Sequence, residues 1–470
     1  MTLQKHYMST AGLALFSKGF NLLSTFGVLW LQSTMMDKDS FGLFMMAFSL
    51  MFTLSMVLSA GFQALILYHV SRTAQDNPDT ITALSSQIFW LSGILSLVCG
   101  GLIYGFSPHI ARLMGHTALL PWLQNMALFI PVNTAALVLP SYSRARQRVK
   151  ETLFFQEIFL NGLRVLLVGL LWLLALPPLW TAHAYILSTL IPVMVLFFRA
   201  PLWPNVAYST LTRWDLTYAL KSTAFQVLNQ PFRGLDIVLV GFFTTASIAA
   251  DYAMAVRLSQ MLWIPKHAVA QLQVPRMGAL LAKHDMAQLT LEYNAMRAVS
   301  LVAVLGACAG LLFFGGPLLS LFGDYHSALP ALYILAAASV IRTGFGASGD
   351  LLGMAGHAGD SALIAGFSMV ITCVGTAWLV PNQGAEGAAF VIFISTLQLF
   401  TGFVRVLKRK EGLHLLPPFM CLVNILASLA LLLPAGHFVP LMPSGLILLA
   451  LAGIVPVVDK SWTRLISHAS

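Results

Sequence analysis

Apolar runs of about 20 residues recur from one end of the chain to the other, the length an α-helix needs to cross a hydrocarbon core. Short polar, Pro or Gly-containing connections separate them. The pattern predicts about fourteen spans, near residues 10–32, 42–68, 83–107, 118–141, 152–176, 180–199, 218–244 and 249–273, then 296–320, 327–349, 360–380, 385–404, 414–434 and 438–458. The longest hydrophilic connection falls near residues 275–295. Pro231 lies inside the seventh span, where it removes a backbone hydrogen bond and predicts a kink.

The pattern also repeats at an offset of about 208 residues. Pro108, Leu113-Met114-Gly115 and Leu120-Pro121-Trp122-Leu123 follow the third span, and Pro317, Leu321-Phe322-Gly323 and Leu329-Pro330-Ala331-Leu332 follow the ninth. At the same offset Asn21 meets Asn229, Lys18 meets Gln226 and Gln63 meets Gln271. Six spans separate the copies, so the chain returns to the same side and the repeats run parallel. The expected organisation is an all-α polytopic membrane protein with two six-helix lobes, residues 1–205 and 206–410, around a central cationic cavity. Residues 411–470 add two spans and a short tail.

Composition agrees with this reading: 58% of the 470 residues are hydrophobic and only 9% charged, against about 25% charged in soluble proteins. Lys18 interrupts the first apolar stretch, so the N-terminus does not read as a cleaved signal. The four cysteines are isolated, which gives neither a disulfide framework nor a zinc site. A net charge of +9 would suggest nucleic acid in a soluble protein. Here 17 of the 26 Lys and Arg fall on one set of connections, Arg297 among them, while Lys38 and Arg112 fall on the other and seven lie inside spans. That bias makes the charge a topology signal and places both termini in the cytoplasm.

The seven intramembrane cations are Lys18, Arg164, Lys221, Arg233, Arg257, Lys266 and Arg342. A charge at the bilayer centre costs about 2.5–3.5 kcal/mol on the lenient insertion scale, so such residues face a wet cavity, meet a partner or snorkel. At about 100° per residue, Ser222, Gln226, Asn229, Arg233 and Asp236 form one polar stripe on span seven. Lys18, Asn21, Thr25 and Gln32 align on span one, Glu157, Asn161 and Arg164 on span five, and Arg257, Gln260, His267 and Gln271 on span eight. Stripes of this kind cannot face lipid. Asp236 can neutralise Arg233, and Glu157 lies two turns from Arg164. Lys18, Arg257 and Arg342 are left without an obvious acidic partner. Lys221 and Lys266 sit off the stripes, where snorkelling or helix packing is the plainer reading. A cationic cavity suits an anionic ligand, above all phosphate. The candidate binding residues are Lys18, Asn21, Arg164, Gln226, Asn229, Arg233, Arg257, Gln260 and Arg342. Asp236 and His267 are candidates for ion coupling, although packing is the plainer reading of His267.

Enzyme motifs do not survive inspection. Gly344-Phe345-Gly346-Ala347-Ser348-Gly349 matches G-x-G-x-x-G but follows an apolar helix rather than a strand. The chain contains no G-x-x-x-x-G-K-[ST], H-E-x-x-H or G-x-S-x-G. Neither a catalytic role nor a cofactor nor a metal is expected.

Several segments resemble the Wzx-type polysaccharide flippases, of the superfamily that also holds MATE exporters and MurJ-type lipid II flippases. They are Asp39-Ser40-Phe41-Gly42-Leu43-Phe44, Asp236, Asp251-Tyr252-Ala253-Met254-Ala255, Pro275-Arg276, Leu321 through Tyr325 with Leu329 through Leu335, and Pro381 through Ala389. The resemblance covers about residues 8–410. It implies translocation of an undecaprenyl-diphosphate-linked oligosaccharide to the periplasmic leaflet of a bacterial inner membrane. It also implies a polysaccharide polymerase and a chain-length regulator as partners, and cavity roles for Lys18, Arg233, Asp236 and Arg257. A MATE-type cation-coupled exporter and a MurJ-type lipid II flippase stay open as alternatives, as does a non-transporting scaffold. Only Lys18 is cationic in the first two spans, which disfavours lipid II; the positive balance disfavours a cation exporter.

Overall fold

The computed structural model describes residues 2–73, 78–145, 148–200, 202, 211–229, 234–413, 415, 418–435 and 441–458. Among the described residues every regular element is helical. Backbone packing groups them into two units, Met1–Ser247 and Ile248–Ser470. Seven described helices are long and apolar enough to cross a membrane, or eight if a pair bent by 45° at residues 127–128 is one span. The protein is a multi-pass membrane protein, and fourteen spans are compatible with these elements.

The first unit contains α1 (Thr2–Met35), α2 (Lys38–Thr73), α3 (Pro78–Leu113), α4 (Leu120–Met126) and α5 (Phe129–Ala145). It continues with α6 (Val149–Leu153), α7 (Leu160–Leu173), α8 (Trp180–Arg199), α9 (Arg213–Asn229) and α10 (Leu235–Phe243). Between α6 and α7, residues Phe154–Phe159 form one π-helical turn. The core is aromatic: Phe44 lies 5.5 Å from Trp122 and 5.3 Å from Tyr185, and Phe48 lies 5.1 Å from Tyr185, centroid to centroid. These rings lock α2, α4 and α8 together. Gly61 lets α9 approach α2 closely, since a Cβ there would stand 2.1 Å from the Ala219 carbonyl oxygen.

The second unit contains α11 (Ala246–Met261), which starts at the boundary, α12 (Ile264–Ala282), α13 (Met286–Ser320), α14 (Leu329–Gly344) and α15 (Ser348–Met354). It ends with α16 (Ala358–Glu411), α17 (Pro418–Ala435) and α18 (Leu441–Val458). Gly384, at φ 55° and ψ −130°, folds α16 into two arms, as the sequence pattern predicted for spans eleven and twelve. The ends of the arms meet where Lys410 Nζ donates to Asp360 Oδ2 at 2.6 Å and His357 Nε2 lies 2.7 Å from Glu411 Oε1. Leu363, Phe367, Val370, Val374 and Trp378 form an exposed apolar stripe on the first arm, which suits lipid rather than water. The Gly-x-Gly run closes α14 and precedes α15, with no strand beside it.

The two repeat motifs take the same local shape. Gly115 (φ 72°) and Gly323 (φ 105°) both adopt the left-handed region that favours glycine. A 3₁₀ turn follows each, Thr117–Leu119 and His326–Ala328, and each then leads into a helix starting Leu-Pro.

Three predicted elements need correction. Span seven is not one continuous helix: Gly234, at φ 116°, takes the left-handed conformation immediately before α10. Its single stripe therefore does not continue from Asn229 to Asp236. Pro231 lies outside the described residues. Span eight breaks at Leu262 and Trp263, because Pro265 has no N–H to donate back to Met261. The long hydrophilic connection shrinks to residues 283–285, where Asp285 caps α13 by accepting a hydrogen bond from Gln288 N at 3.1 Å.

Candidate functional site

In the first unit the polar residues of spans one and five meet. The π turn carries Glu157 against α1, and such turns often occur at functional positions. Lys18 Nζ donates to Glu157 Oε1 at 2.5 Å, and Asn21 Nδ2 donates to Oε2 of the same carboxylate at 2.5 Å. Thr25 donates to Asn21 Oδ1 at 3.3 Å, one turn further along α1. Asn161 donates to the Glu157 carbonyl at 2.8 Å. The Lys18 and Glu157 side chains retain 26% and 20% of their exposure, so the pair is covered but not sealed.

This pairing corrects two expectations. Lys18 has an acidic partner, and Glu157 serves Lys18 rather than Arg164. Arg164 turns to α8 instead, where Nε and Nη2 each donate at 3.3 Å, to Ser188 and Thr189. Its guanidinium also lies 4.3 Å from the Tyr185 ring centroid, and Tyr185 in turn donates to Gln32 Oε1 at 3.4 Å. Lys18 and Asn21 thus belong to one polar cluster on Glu157, and Arg164 and Gln32 to a second one, anchored in the aromatic core by Tyr185. Asp236 is 6% exposed in the first turn of α10, where the helix N-terminus favours a carboxylate.

The second unit handles its cations differently. The Arg342 guanidinium lies 3.9 Å from the Trp263 ring centroid, and the indole N–H donates to Ser339 Oγ at 2.8 Å. Lys266 is 9% exposed; its Nζ donates to the Arg342 carbonyl at 2.9 Å and sits 5.0 Å from the Phe400 centroid. Lys266, expected to lie apart from the candidate residues, is therefore a neighbour of one of them. Arg257 and Gln260 are half-buried on α11. Arg297, counted among the water-facing cations, is fully buried in α13 and donates to the Leu415 carbonyl. The side chains of Gln226, Asn229 and His267, and all of Arg233, lie outside the described residues.

Trp263 and the Lys266–Arg342 contact were not legible in the chain. Residues 76 apart are brought together by packing, and the only sequence signal was an unexplained intramembrane lysine. Chemically, both units carry ammonium and guanidinium donors inside apolar helices, a donor set that matches phosphate oxygens.

A family model described as "Polysaccharide biosynthesis protein" matches residues 34–327, more than half of the chain. No curated protein matches. Among solved structures, a lipid II flippase MurJ in an inward closed conformation aligns with a TM-score of 0.72 at 13% identity, over 98% of this chain and 100% of that one. An inward-facing multidrug resistance MATE family transporter of the MOP superfamily gives 0.64 at 16%, over 86% and 98%. A MOP superfamily transporter from Pyrococcus furiosus, described as having a binding pocket of reverse polarity, gives 0.61 at 15%, over 86% and 94%. At these identities the likeness is one of fold.

Proposed function

Since the chain belongs to the polysaccharide biosynthesis protein family, we propose that it is a flippase for an undecaprenyl-diphosphate-linked oligosaccharide repeat unit. It carries this cargo by alternating access from the cytoplasmic to the periplasmic leaflet of the bacterial inner membrane, for O-antigen, exopolysaccharide or capsule assembly. The observation that carries this reading is the placement of cations within the helices of both units: Lys18 and Arg164 in the first, Lys266 and Arg342 in the second, Arg164 and Arg342 in helices apolar enough to cross a membrane. Retaining charge there is costly, and an anionic cargo accounts for it.

Lys18, Arg164, Arg233, Arg257 and Arg342 bind the diphosphate. Asn21 joins Lys18 on the diphosphate, Gln226, Asn229 and Gln260 meet the sugar hydroxyls, and the prenyl tail stays in lipid. The repeats, residues 1–205 and 206–410, are the moving parts, and residues 411–470 are an accessory pair of helices. Both termini are cytoplasmic. A polymerase and a chain-length regulator receive the product, and Asp236 and His267 couple transport to an ion gradient.

Cells producing the Arg257→Ala or Arg164→Ala variant at wild-type levels in the membrane are expected to lose surface polysaccharide. Normal export from both would overturn the assignment of these cations to cargo. Gradient-driven efflux of a cationic dye, with polysaccharide unaffected by deletion of the protein, would favour the exporter reading.

A further inference from the structure

The Lys18–Glu157–Asn21 cluster answers a question the flippase reading leaves open: how a cationic site distinguishes a diphosphate from the many weaker anions at a membrane surface. Resting on that reading, we propose that Glu157 is a specificity-determining residue, an internal anion that occupies the cargo donors and yields only to a more highly charged ligand.

Glu157 uses both carboxylate oxygens, one for the Lys18 ammonium and one for the Asn21 amide, each at 2.5 Å. Two donors with chemistry suited to cargo are thus held by a group that the chain itself supplies. Both partners stay partly exposed, at 26% and 20%, so an incoming oxyanion can reach the ammonium without unfolding the helices. The π turn and the Asn161 hydrogen bond to the Glu157 carbonyl at 2.8 Å fix the backbone that carries the carboxylate. The carboxylate is thus pre-positioned beside its donors by its backbone, while its side chain can give them up.

The exchange balances in charge. A cargo that takes Lys18 and Asn21 must replace two hydrogen bonds to a carboxylate, one of them charge-assisted. A diphosphate, with more charge and more acceptor oxygens, returns more than it displaces. A monophosphate or carboxylate roughly breaks even. When cargo leaves, Glu157 re-forms its bonds, so the donors need not wait for bulk water and product release is assisted. Removing the carboxylate should tighten binding and erase discrimination.

The test measures binding of two probes, a short prenyl diphosphate and the matching prenyl monophosphate, to the full-length protein in detergent. Wild-type protein is expected to prefer the diphosphate by about tenfold or more. Glu157→Gln keeps an acceptor for Asn21 but frees the ammonium. It should bind both probes more tightly, bring the ratio close to one, and slow release of the diphosphate. Glu157→Asp draws the carboxylate back by one methylene and should fall between the two, which covers the case of a Gln variant that does not fold. Lys18→Ala should weaken both probes. Wild-type discrimination retained in Glu157→Gln and Glu157→Asp, both melting as wild type does, would overturn the proposal while leaving the flippase reading intact. Wild-type protein that binds neither probe would overturn that reading first, and this proposal with it.

Discussion

The two units meet the same difficulty, a cation inside an apolar helix, and resolve it with different chemistry. The first neutralises charge with charge, Lys18 against Glu157, and supports Arg164 with two hydroxyls and the Tyr185 ring. The second sets Arg342 on the Trp263 face and Lys266 between a carbonyl and the Phe400 ring. An ion pair holds its charge in one place and must be broken to engage a ligand. A ring face stabilises a cation without neutralising its charge. The first arrangement spends the charge on an internal partner, and the second leaves the net charge in place.

The units differ in the same way in how closely their helices approach. The limit at Gly61 in α2 is the rigid Ala219 carbonyl, whereas the limit at Gly344 in α14 is the movable Asn424 side chain, 1.8 Å from where a Cβ would stand. Gly61→Ala should therefore cost about 3 kcal/mol, and Gly344→Ala about 1 kcal/mol after Asn424 rotates. Thermal melting in detergent micelles would show this ordering, and equal losses would break the contrast. A step smaller, Trp263→Ala should remove about 2 kcal/mol and weaken anion binding, because Arg342 loses its platform. Trp263→Phe retains a ring face and should forfeit mainly the bond to Ser339, about 1 kcal/mol.

Of similar size is the coupling between Lys18 and Glu157. A double-mutant cycle with Ala at each position should give about 1 kcal/mol, since both side chains remain partly exposed. A value near zero would mean that the pair adds nothing and that the charge logic of the first unit is wrong. The smallest effect lies outside the spans. Ser40 donates from its backbone N–H to Asp37 Oδ2 at 3.2 Å at the start of α2. Hydrogen bonds from Ser40, its side chain first, hold the Asp37 carboxyl below the ordinary 3.8. A carboxyl lowered on folding contributes stability above its unfolded pKa and loses it as pH falls through the folded value. Asp37→Asn should thus melt slightly earlier than wild type at neutral pH, with the difference fading below about pH 4.

The fold was readable because its signals are periodic and long. Apolar runs act over whole helices, and the repeated glycine followed by Leu-Pro takes the same left-handed conformation in both copies, at Gly115 and Gly323. The site was less readable because angular stripes assume an unbroken helix. Gly234 and the turn before Pro265 reset the register, so Gln260 and His267 do not share one continuous helix face. Pairing was harder still. Glu157 was assigned to Arg164 by spacing along one helix, but the π turn and the packing of α1 gave it to Lys18, 139 residues away. Arg297 reads as a membrane-edge cation by position, yet it is buried on the Leu415 carbonyl across the unit.

The most direct test of the central claim is leaflet transfer of a fluorescent undecaprenyl-diphosphate oligosaccharide in proteoliposomes, wild type beside the Arg233→Ala/Arg257→Ala double variant. The account expects transfer by the wild type and none by an equally well-inserted double variant. No transfer by folded wild-type protein, or equal transfer by both, would contradict it.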